Sequence, residues 1–211
     1  MQILLIRHGR MAGDPYCEPA SPVSGCLSPE GIAQAEKLHE RLLPIRIDKA
    51  FTSPYGRAVE TAERGLAGRG IPLERLPGIQ EWTPSDEYRN ATSTEAEALM
   101  VRDRERYAEE TWKTELGEGT FDVYARCVPA ILGALAKEGW HARMGGFVAD
   151  PGTEDKTIAF FAHGGSLGVI LSFLLGTRPF PLAPYGFGYC GVATIDYYPR
   201  HGVYFPNIAF N

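Results

Sequence analysis

Three short apolar runs, each followed by a helix-start signal, constrain the fold most strongly. The runs occupy residues 3–6, 50–52 and 157–162, and they have the continuous apolar pattern of strands that are buried on both faces. The order of a strand and then a helix therefore occurs three times. This order predicts an α/β fold, a three-layer sandwich with a largely parallel central sheet.

The helix-start signals are specific. Ser28-Pro29 and Ser53-Pro54 each place a capping hydroxyl before a proline at the first helical position. The third helix is predicted to begin at Gly164-Gly165-Ser166, after the last apolar run. Apolar residues at three- and four-residue spacing come after each start, so each helix is expected to cover the sheet with one face.

The remaining segments have different patterns. Residues 92–140 have a helical pattern alone, with a possible capping box at Thr92 and Glu95 and with Pro129 expected to kink the second helix. We expect this segment to be a helical insertion over the carboxyl edge of the sheet, within a single domain of residues 1–211. Residues 141–156 are predicted to be a surface loop. Residues 192–198 are predicted to be an antiparallel strand at an edge of the sheet.

Composition excludes several classes of partner. The 211-residue chain has a formal net charge of -5, so it has no general basic field for nucleic acid or an anionic membrane. It has no apolar run of about 18 residues, and the apolar start ends at Arg7, too early for a signal-peptide core. Its four cysteines are widely separated, which fits reduced thiols in a cytoplasm. Nothing in the sequence indicates the oligomeric state.

Two of the five histidines occupy matching positions. His8 comes directly after the first strand, and His163 comes directly after the third. The carboxyl ends of parallel strands meet at one edge of a sheet, so both imidazoles are expected to face one crevice. A glycine after each histidine, Gly9 and Gly164, lets the backbone turn sharply and approach a ligand. The helix that opens at Gly164 also directs free N–H groups at an anion.

Two arginines are expected at the same edge. Arg7 ends the first strand, and Arg57 lies one turn into the helix that Ser53 and Pro54 are expected to start. Together with the histidines they form an anion site inside an acidic protein. Phosphate suits this site because a guanidinium offers paired donors to its oxygens.

The motifs together resemble the histidine phosphatase superfamily, which is also called phosphoglycerate mutase-like, and its branch 1 in particular. The resemblance extends along most of the chain in the order of the family, through residues 3–9, 27–35, 52–62, 79–81, 123–130 and 161–166. It implies a phosphatase that acts through a phosphohistidine on a small phosphorylated metabolite, without a metal ion or cofactor.

The resemblance also implies a role for individual residues. His8 matches the histidine that is phosphorylated, and Arg7, Arg57 and His163 match the groups around the phosphoryl oxygens. Glu81 matches the proton donor of the family. Glu87 and Glu95 remain as alternative donors.

The chain departs from the family pattern after Arg7-His8-Gly9. Relatives commonly carry Glu or Gln and then Thr or Ser there, whereas this chain has Arg10 and Met11. The asparagine that touches phosphate in relatives is also missing, since the first asparagine is Asn90. Ser21, Ser24 or backbone N–H groups are candidates for that contact. Arg10 either binds a second anionic group of the substrate or faces solvent.

Three other functions are open. A phosphoglycerate mutase is disfavoured because Arg10 and Gly165 stand where mutases tend to carry Glu and Asn. A metallohydrolase with His8, His163 and Glu81 as ligands is disfavoured because two arginines would repel the cation. A catalytically idle phosphate-binding or regulatory module is the third. The substrate is not determined, and an aromatic run (Tyr185, Phe187, Tyr189) either lines the outer pocket or packs in the core.

Overall fold

A computed structural model of the chain describes residues 1–13, 26–106, 114–179 and 185–207. The strands in these ranges are β1 (Gln2–Arg7), β2 (Lys49–Thr52), β3 (Leu73–Arg75), β4 (Trp140–Arg143), β5 (Gly146–Ala149), β6 (Thr157–Ala162), β7 (Val192–Arg200) and β8 (Val203–Asn207). The helices are α1 (Pro29–Leu42), α2 (Gly56–Gly65), α3 (Asp86–Asn90), α4 (Ser93–Arg106), α5 (Thr120–Lys137) and α6 (Gly164–Leu175).

The α/β class is confirmed, but the prediction of a largely parallel sheet is wrong. The strand order is β3-β2-β6-β1-β7-β8-β5-β4. The first four strands pair in parallel, whereas β1 with β7 and all later pairs are antiparallel. The sheet is therefore mixed. The three apolar runs that the sequence identifies are β1, β2 and β6, which are neighbours in the parallel half.

Helices cover both faces of the parallel half. Side chains of a strand alternate between the faces of a sheet. Ile3 and Leu5 of β1 accordingly join one buried core with residues of α5 and α6, whereas Leu4 and Ile6 join a second core with residues of α1. A three-layer arrangement of the whole sheet stays a prediction.

Helix α5 packs against the parallel half of the sheet. It packs along α6, and Val123, Ile131 and Leu135 are completely buried in the same core as β1 and β6. It is therefore one of the helices that cover the sheet, and the insertion over residues 92–140 stays a prediction. The helix also continues through Pro129. The single-domain organisation of residues 1–211 remains a prediction.

The predicted loop at residues 141–156 is wrong in its first half. β4 and β5 form an antiparallel hairpin there, with Arg143 paired to Gly146. The two turn residues, Met144 and Gly145, both have positive φ, 51° and 79°. Such a two-residue turn suits the twist of paired strands, but it usually carries asparagine followed by glycine. Because Met144 stands where asparagine is usual, the sequence does not indicate a hairpin here.

The late strand is antiparallel, as predicted, but it does not lie at an edge. β7 lies between β1 and β8 because a second two-residue turn, His201-Gly202, returns the chain as β8. Among the described helices, none is long and apolar enough to cross a membrane.

Candidate active site

The ends of β1 and β6 place two histidines side by side. Arg7 lies opposite Ala162 in the parallel register, so the next residue on each strand is His8 and His163. The His8 backbone N–H donates to the Ala162 carbonyl at 3.0 Å, and the two imidazole centroids are 5.0 Å apart. Both side chains are buried. The prediction that both imidazoles lie together at the carboxyl edge of the sheet is confirmed.

The hydrogen bonds of His8 define its tautomer. Its Nδ1 lies 2.7 Å from the Gly9 carbonyl oxygen, which can only accept, so Nδ1 carries the proton. Burial, and after it the positive charge of Arg57, lowers the pKa of His8 to about 3, against the opposing effect of the hydrogen bond to Gly9. His8 is therefore neutral at physiological pH with a lone pair on Nε2. A nucleophilic nitrogen needs that state.

Gly9 is held by both neighbouring helices. Its N–H donates to Thr61 Oγ1 of α2 at 3.0 Å, and that hydroxyl donates to the Arg57 carbonyl at 2.7 Å. A Cβ at Gly9 would lie 2.8 Å from the Gly31 carbonyl oxygen of α1. A side chain at position 9 would therefore push the backbone away from α1, and with it the carbonyl that orients His8.

Helix α2 begins two residues later than predicted. Its N-cap is Tyr55, so Arg57 is the second helical residue, near the positive end of the helix. Ser53 does not cap α2. Its hydroxyl lies 2.8 Å from His163 Nε2. The buried imidazole would otherwise have a ring nitrogen without a hydrogen-bond partner, which is costly inside a protein.

Arg57 joins the two histidines. Its Nε lies 3.3 Å from His8 Nε2 and 3.2 Å from His163 Nδ1. A guanidinium can only donate, so both ring nitrogens present lone pairs to it. Burial lowers the pKa of Arg57, and the Glu81 carboxylate opposes that shift. Arg57, the two histidines and Glu81 thus form one electrostatic cluster.

Arg7 has an unsatisfied donor at this site. Its Nη1 donates to the Phe187 carbonyl, and its guanidinium lies 4.2 Å from the centroid of the Tyr189 ring. Its Nε is buried and has no hydrogen-bond partner among the described residues. A Cβ at Gly164 would lie 3.6 Å from Arg7 Cζ, so this cation lies beside the start of α6. A buried donor without an acceptor suits the oxygen of a bound anion.

Glu81 lies at the start of α6. One carboxylate oxygen accepts from the Gly165 N–H at 3.1 Å, and the other accepts from the N–H groups of Ser166 and Trp82 at 3.1 and 3.0 Å. A Cβ at Gly165 would lie 2.5 Å from Glu81 Oε1, so the second glycine leaves room for this carboxylate.

Glu87 and Glu95, the alternative proton donors, form contacts with other residues. Glu87 contacts Arg102 at 3.4 Å on the exposed surface. Glu95 forms the predicted capping box with Thr92 at the start of α4.

Arg126 of α5 fixes the backbone that presents Glu81. It donates to the carbonyls of Gly78, Gln80 and Glu81 at 2.8 to 3.0 Å and pairs with Glu118 at 2.7 Å. The Arg126–Glu118 pair therefore orders the turn before α3. The sequence does not reveal this role, because an arginine within a helix gives no sign of three carbonyl partners that are distant in the chain.

The segment after His8 is anchored by α2. Glu60 accepts from the backbone N–H groups of Cys26 and Leu27 at 2.9 and 3.0 Å, and its other oxygen pairs with Arg64. Arg10 pairs with Glu30 at 2.7 Å, and both side chains are 57% exposed. Ser21 and Ser24, the candidates for the missing asparagine contact, lie outside the described residues.

Among the described residues, no group of three His, Cys, Asp or Glu side chains is placed to hold a metal ion. The site is instead a buried pair of imidazoles with two guanidiniums and the N-terminus of α6 around it. This arrangement can bind a small anion and present a nitrogen nucleophile to it.

Comparison with known proteins identifies the family. The sequence profile of the Histidine phosphatase superfamily (branch 1) matches residues 3–204. The chain therefore belongs to the histidine phosphatase superfamily, branch 1.

Two relatives have different functional names. The chain is 27% identical to an adenosylcobalamin/alpha-ribazole phosphatase of Salmonella typhimurium, over 83% of this chain and 80% of that protein. It is 24% identical to a probable phosphoglycerate mutase of Cronobacter sakazakii, over 93% of this chain and 85% of that protein.

Solved structures share the fold. An alpha-ribazole phosphatase from Shigella flexneri superposes with a TM-score of 0.71 at 19% identity, over 99% of this chain and 95% of that chain. A mycobacterial glucosyl-3-phosphoglycerate phosphatase superposes with a TM-score of 0.70 at 22% identity, over 99% and 98%. At this identity the likeness concerns the fold alone.

Proposed function

We propose that the protein is a phosphomonoester hydrolase that works through a phosphohistidine on His8 and needs no metal ion. The observation that carries this proposal is the state of His8. Its Nδ1 proton is bound by the Gly9 carbonyl, its Nε2 keeps a lone pair, and Arg57 lies against that lone pair. A neutral nucleophile next to a fixed cation is what attack on a phosphoryl group requires.

The first half of the proposed reaction transfers the phosphoryl group to the enzyme. His8 Nε2 attacks phosphorus, an N–P bond forms, and the ester P–O bond breaks. Arg7, Arg57, His163 and the Gly164 N–H surround the equatorial oxygens and neutralise their charge. Glu81, in its protonated form, gives its proton to the departing alcohol oxygen. This carboxyl group lies at the start of α6, close enough to Arg57 for the two charges to interact, and therefore beside the proposed phosphoryl site.

The second half releases phosphate. The Glu81 carboxylate accepts a proton from water as that water attacks phosphorus. The N–P bond breaks, and His8 returns to its neutral form with the lone pair on Nε2. The two steps together consume one water molecule and yield an alcohol and inorganic phosphate.

The proposed substrate is a small phosphorylated metabolite in the cytoplasm. The superfamily includes relatives named for alpha-ribazole and for glucosyl-3-phosphoglycerate, so phosphate esters of larger organic groups are the class to screen first. The negative net charge of the chain supports a small anion rather than nucleic acid or a membrane surface as partner. The spacing of the cysteines supports the cytoplasmic location.

A turnover assay with 4-nitrophenyl phosphate, with and without EDTA, tests the proposal. We expect phosphate release that EDTA leaves unchanged, because arginines rather than a cation neutralise the oxygens. Loss of activity on chelation that added metal restores would support the metallohydrolase. A folded protein without turnover on this ester or on a phosphorylated-metabolite panel would support the idle module. Interconversion of phosphoglycerates without phosphate release would support the mutase.

A further inference from the structure

Ser53 and His163 form a hydrogen bond that the proposed reaction does not yet use. His163 is completely buried, and both of its ring nitrogens are engaged. Nδ1 faces Arg57 Nε at 3.2 Å, and Nε2 faces the Ser53 hydroxyl at 2.8 Å. Since Arg57 can only donate, Nδ1 holds the lone pair, Nε2 holds the proton, and the Ser53 hydroxyl accepts it.

This tautomer does not suit a bound phosphoryl group. Arg57 Nε lies between His163 Nδ1 and His8 Nε2, so Nδ1 is the nitrogen that faces the nucleophile. A phosphoryl oxygen that enters there is an acceptor, and it would meet the lone pair of Nδ1. Nδ1 therefore has to carry a proton if His163 is to donate to that oxygen.

Adding a second proton to His163 would give Nδ1 a hydrogen, but it would cost much free energy. His163 has no exposed surface, and it lies between Arg57 and the His8 ring. Burial, then His8 and Arg57, lowers the pKa of His163 well below its ordinary value. Moving the single proton from Nε2 to Nδ1 avoids a second positive charge inside the protein, provided that the partner of Nε2 can then donate.

Ser53 can make that change. A hydroxyl both donates and accepts, and its hydrogen rotates to suit its partners. The only other hydrogen bond of Ser53 Oγ among the described residues is one accepted from the Tyr55 N–H at 3.3 Å. That bond uses a lone pair, so it remains possible when the O–H turns towards His163.

We propose that Ser53 is a positioning residue that acts through His163 by exchanging hydrogen-bond roles when the phosphoryl group binds. In the free site Ser53 accepts from Nε2–H. In the occupied site Ser53 donates to Nε2, and Nδ1–H donates to a phosphoryl oxygen. One proton leaves Nε2 and one arrives at Nδ1 through exchange with solvent, so the imidazole stays neutral. Arg57 Nε is released from the ring nitrogens and turns to the same anion.

This inference rests on the proposed function only in taking a phosphoryl group as the ligand, and its test needs no turnover. Protein labelled with ¹⁵N-histidine is titrated with orthovanadate and, separately, with inorganic phosphate. Long-range ¹H–¹⁵N correlations then report the protonation of each ring nitrogen of His163. We expect the Nε2–H tautomer in the free protein and the Nδ1–H tautomer at saturation.

Two results at saturation would overturn the inference alone: a proton that stays on Nε2, or an imidazolium that carries protons on both nitrogens. Failure of both anions to bind would overturn the inference together with the proposed phosphate site. A shift of the proton from Nε2 to Nδ1 supports the inference whether or not any ester is hydrolysed.

A pair of variants separates this role from simple packing. Ser53→Ala removes the partner of Nε2, and it is expected to weaken vanadate binding about tenfold or more and to leave mixed tautomers of His163 in the free protein. Thr61→Val removes a buried hydroxyl of α2 that contacts Gly9 rather than His163. The tautomers of His163 are expected to be unchanged there. Equal effects of the two variants on those tautomers would contradict the role of Ser53. If Ser53→Ala does not fold, the titration of the unaltered protein still decides the question.

Discussion

The two halves of the sheet differ in the residues that lie at the ends of their strands. In the parallel half, β1, β6 and β2 run in one direction, and each leads at the same edge into a residue of the candidate site, namely His8, His163 and Ser53. In the antiparallel half, β7, β8, β5 and β4 alternate in direction, and tight turns join β7 to β8 and β4 to β5. Parallel strands concentrate polar groups at one edge, whereas antiparallel hairpins distribute their ends over two.

The two halves also differ in the kind of side chain that they bury. The parallel edge buries Arg57 between two imidazoles, and burial lowers the pKa of each of these groups. The antiparallel half buries apolar side chains such as Trp140, whose indole N–H is satisfied by the Thr153 carbonyl at 2.9 Å. We therefore expect substitutions at the parallel edge to reduce activity, and substitutions in the antiparallel core to reduce stability.

Arg57→Met gives the sharpest contrast in activity. It removes the cation between the histidines but keeps an unbranched apolar stem in the buried site. The first-turnover rate should fall by about 10²-fold or more, because one fixed group opposite the developing charge is lost. The free energy of unfolding should change less than in Trp140→Ala, because the loss of the hydrogen bonds to two ring nitrogens is offset by the removal of a buried charge. A rate within a factor of ten of that of the unaltered enzyme would contradict the expectation that the parallel edge determines activity.

Trp140→Ala tests the other half. It should lower the free energy of unfolding by about 3–5 kcal/mol, because a fully buried ring and its hydrogen bond are removed. Turnover per folded molecule should stay the same. Denaturant unfolding measures the first quantity, with Tyr198→Ala on β7 as the control, since that ring is 54% exposed. A large loss of kcat in folded Trp140→Ala would show that the two halves are coupled.

Glu81→Gln distinguishes proton donation from phosphate binding within the parallel edge. An alkyl phosphate releases a strongly basic oxygen, so its first turnover should slow by about 10²-fold. A nitrophenyl ester releases a weak base and should be much less affected in the same step. Glu87→Gln is the matched control, because that carboxylate lies on the surface with Arg102. Equal losses on both esters would assign Glu81 to the organisation of α6 instead.

The pH dependence of stability tests the charge state of the parallel edge. The pKa of His8 falls from 6.5 to about 3 on folding, so between these values the unfolded chain binds more protons. The stability that neutral His8 contributes is present above pH 6.5 and decreases as the pH falls towards 3. His8→Asn should weaken this dependence, whereas His201→Asn, in an exposed turn, should preserve it. An unchanged slope in His8→Asn would contradict a neutral, buried His8.

The sequence predicts the parallel half much better than the antiparallel half. Strands buried on both faces need unbroken apolar runs, and residues 3–6 and 157–162 provide them. The β4–β5 hairpin has exposed residues at His141 and Arg143 and a methionine in its turn, so neither its hydrophobicity nor its turn resembles a typical hairpin.

Within the site, too, the sequence predicts only those features that have a local signal. His8, His163, Arg57 and Arg7 could be placed together because each adjoins a strand end or a helix start that has a local signal. The partner of Ser53 could not be predicted, since Ser-Pro before a helix indicates a cap and the competing imidazole is 110 residues away. The contacts of Arg126 with the backbone of Gly78, Gln80 and Glu81 span 45 to 48 residues and have no local signal either.

The most direct test of the proposed mechanism is to trap the covalent intermediate. Enzyme mixed with a phosphomonoester is denatured rapidly in alkali and analysed by mass spectrometry of its peptides. The mechanism predicts acid-labile phosphate on His8, attached through Nε2, and none on the His8→Asn variant. Phosphate on a serine, cysteine or aspartate would contradict it, as would unimpaired turnover by His8→Asn.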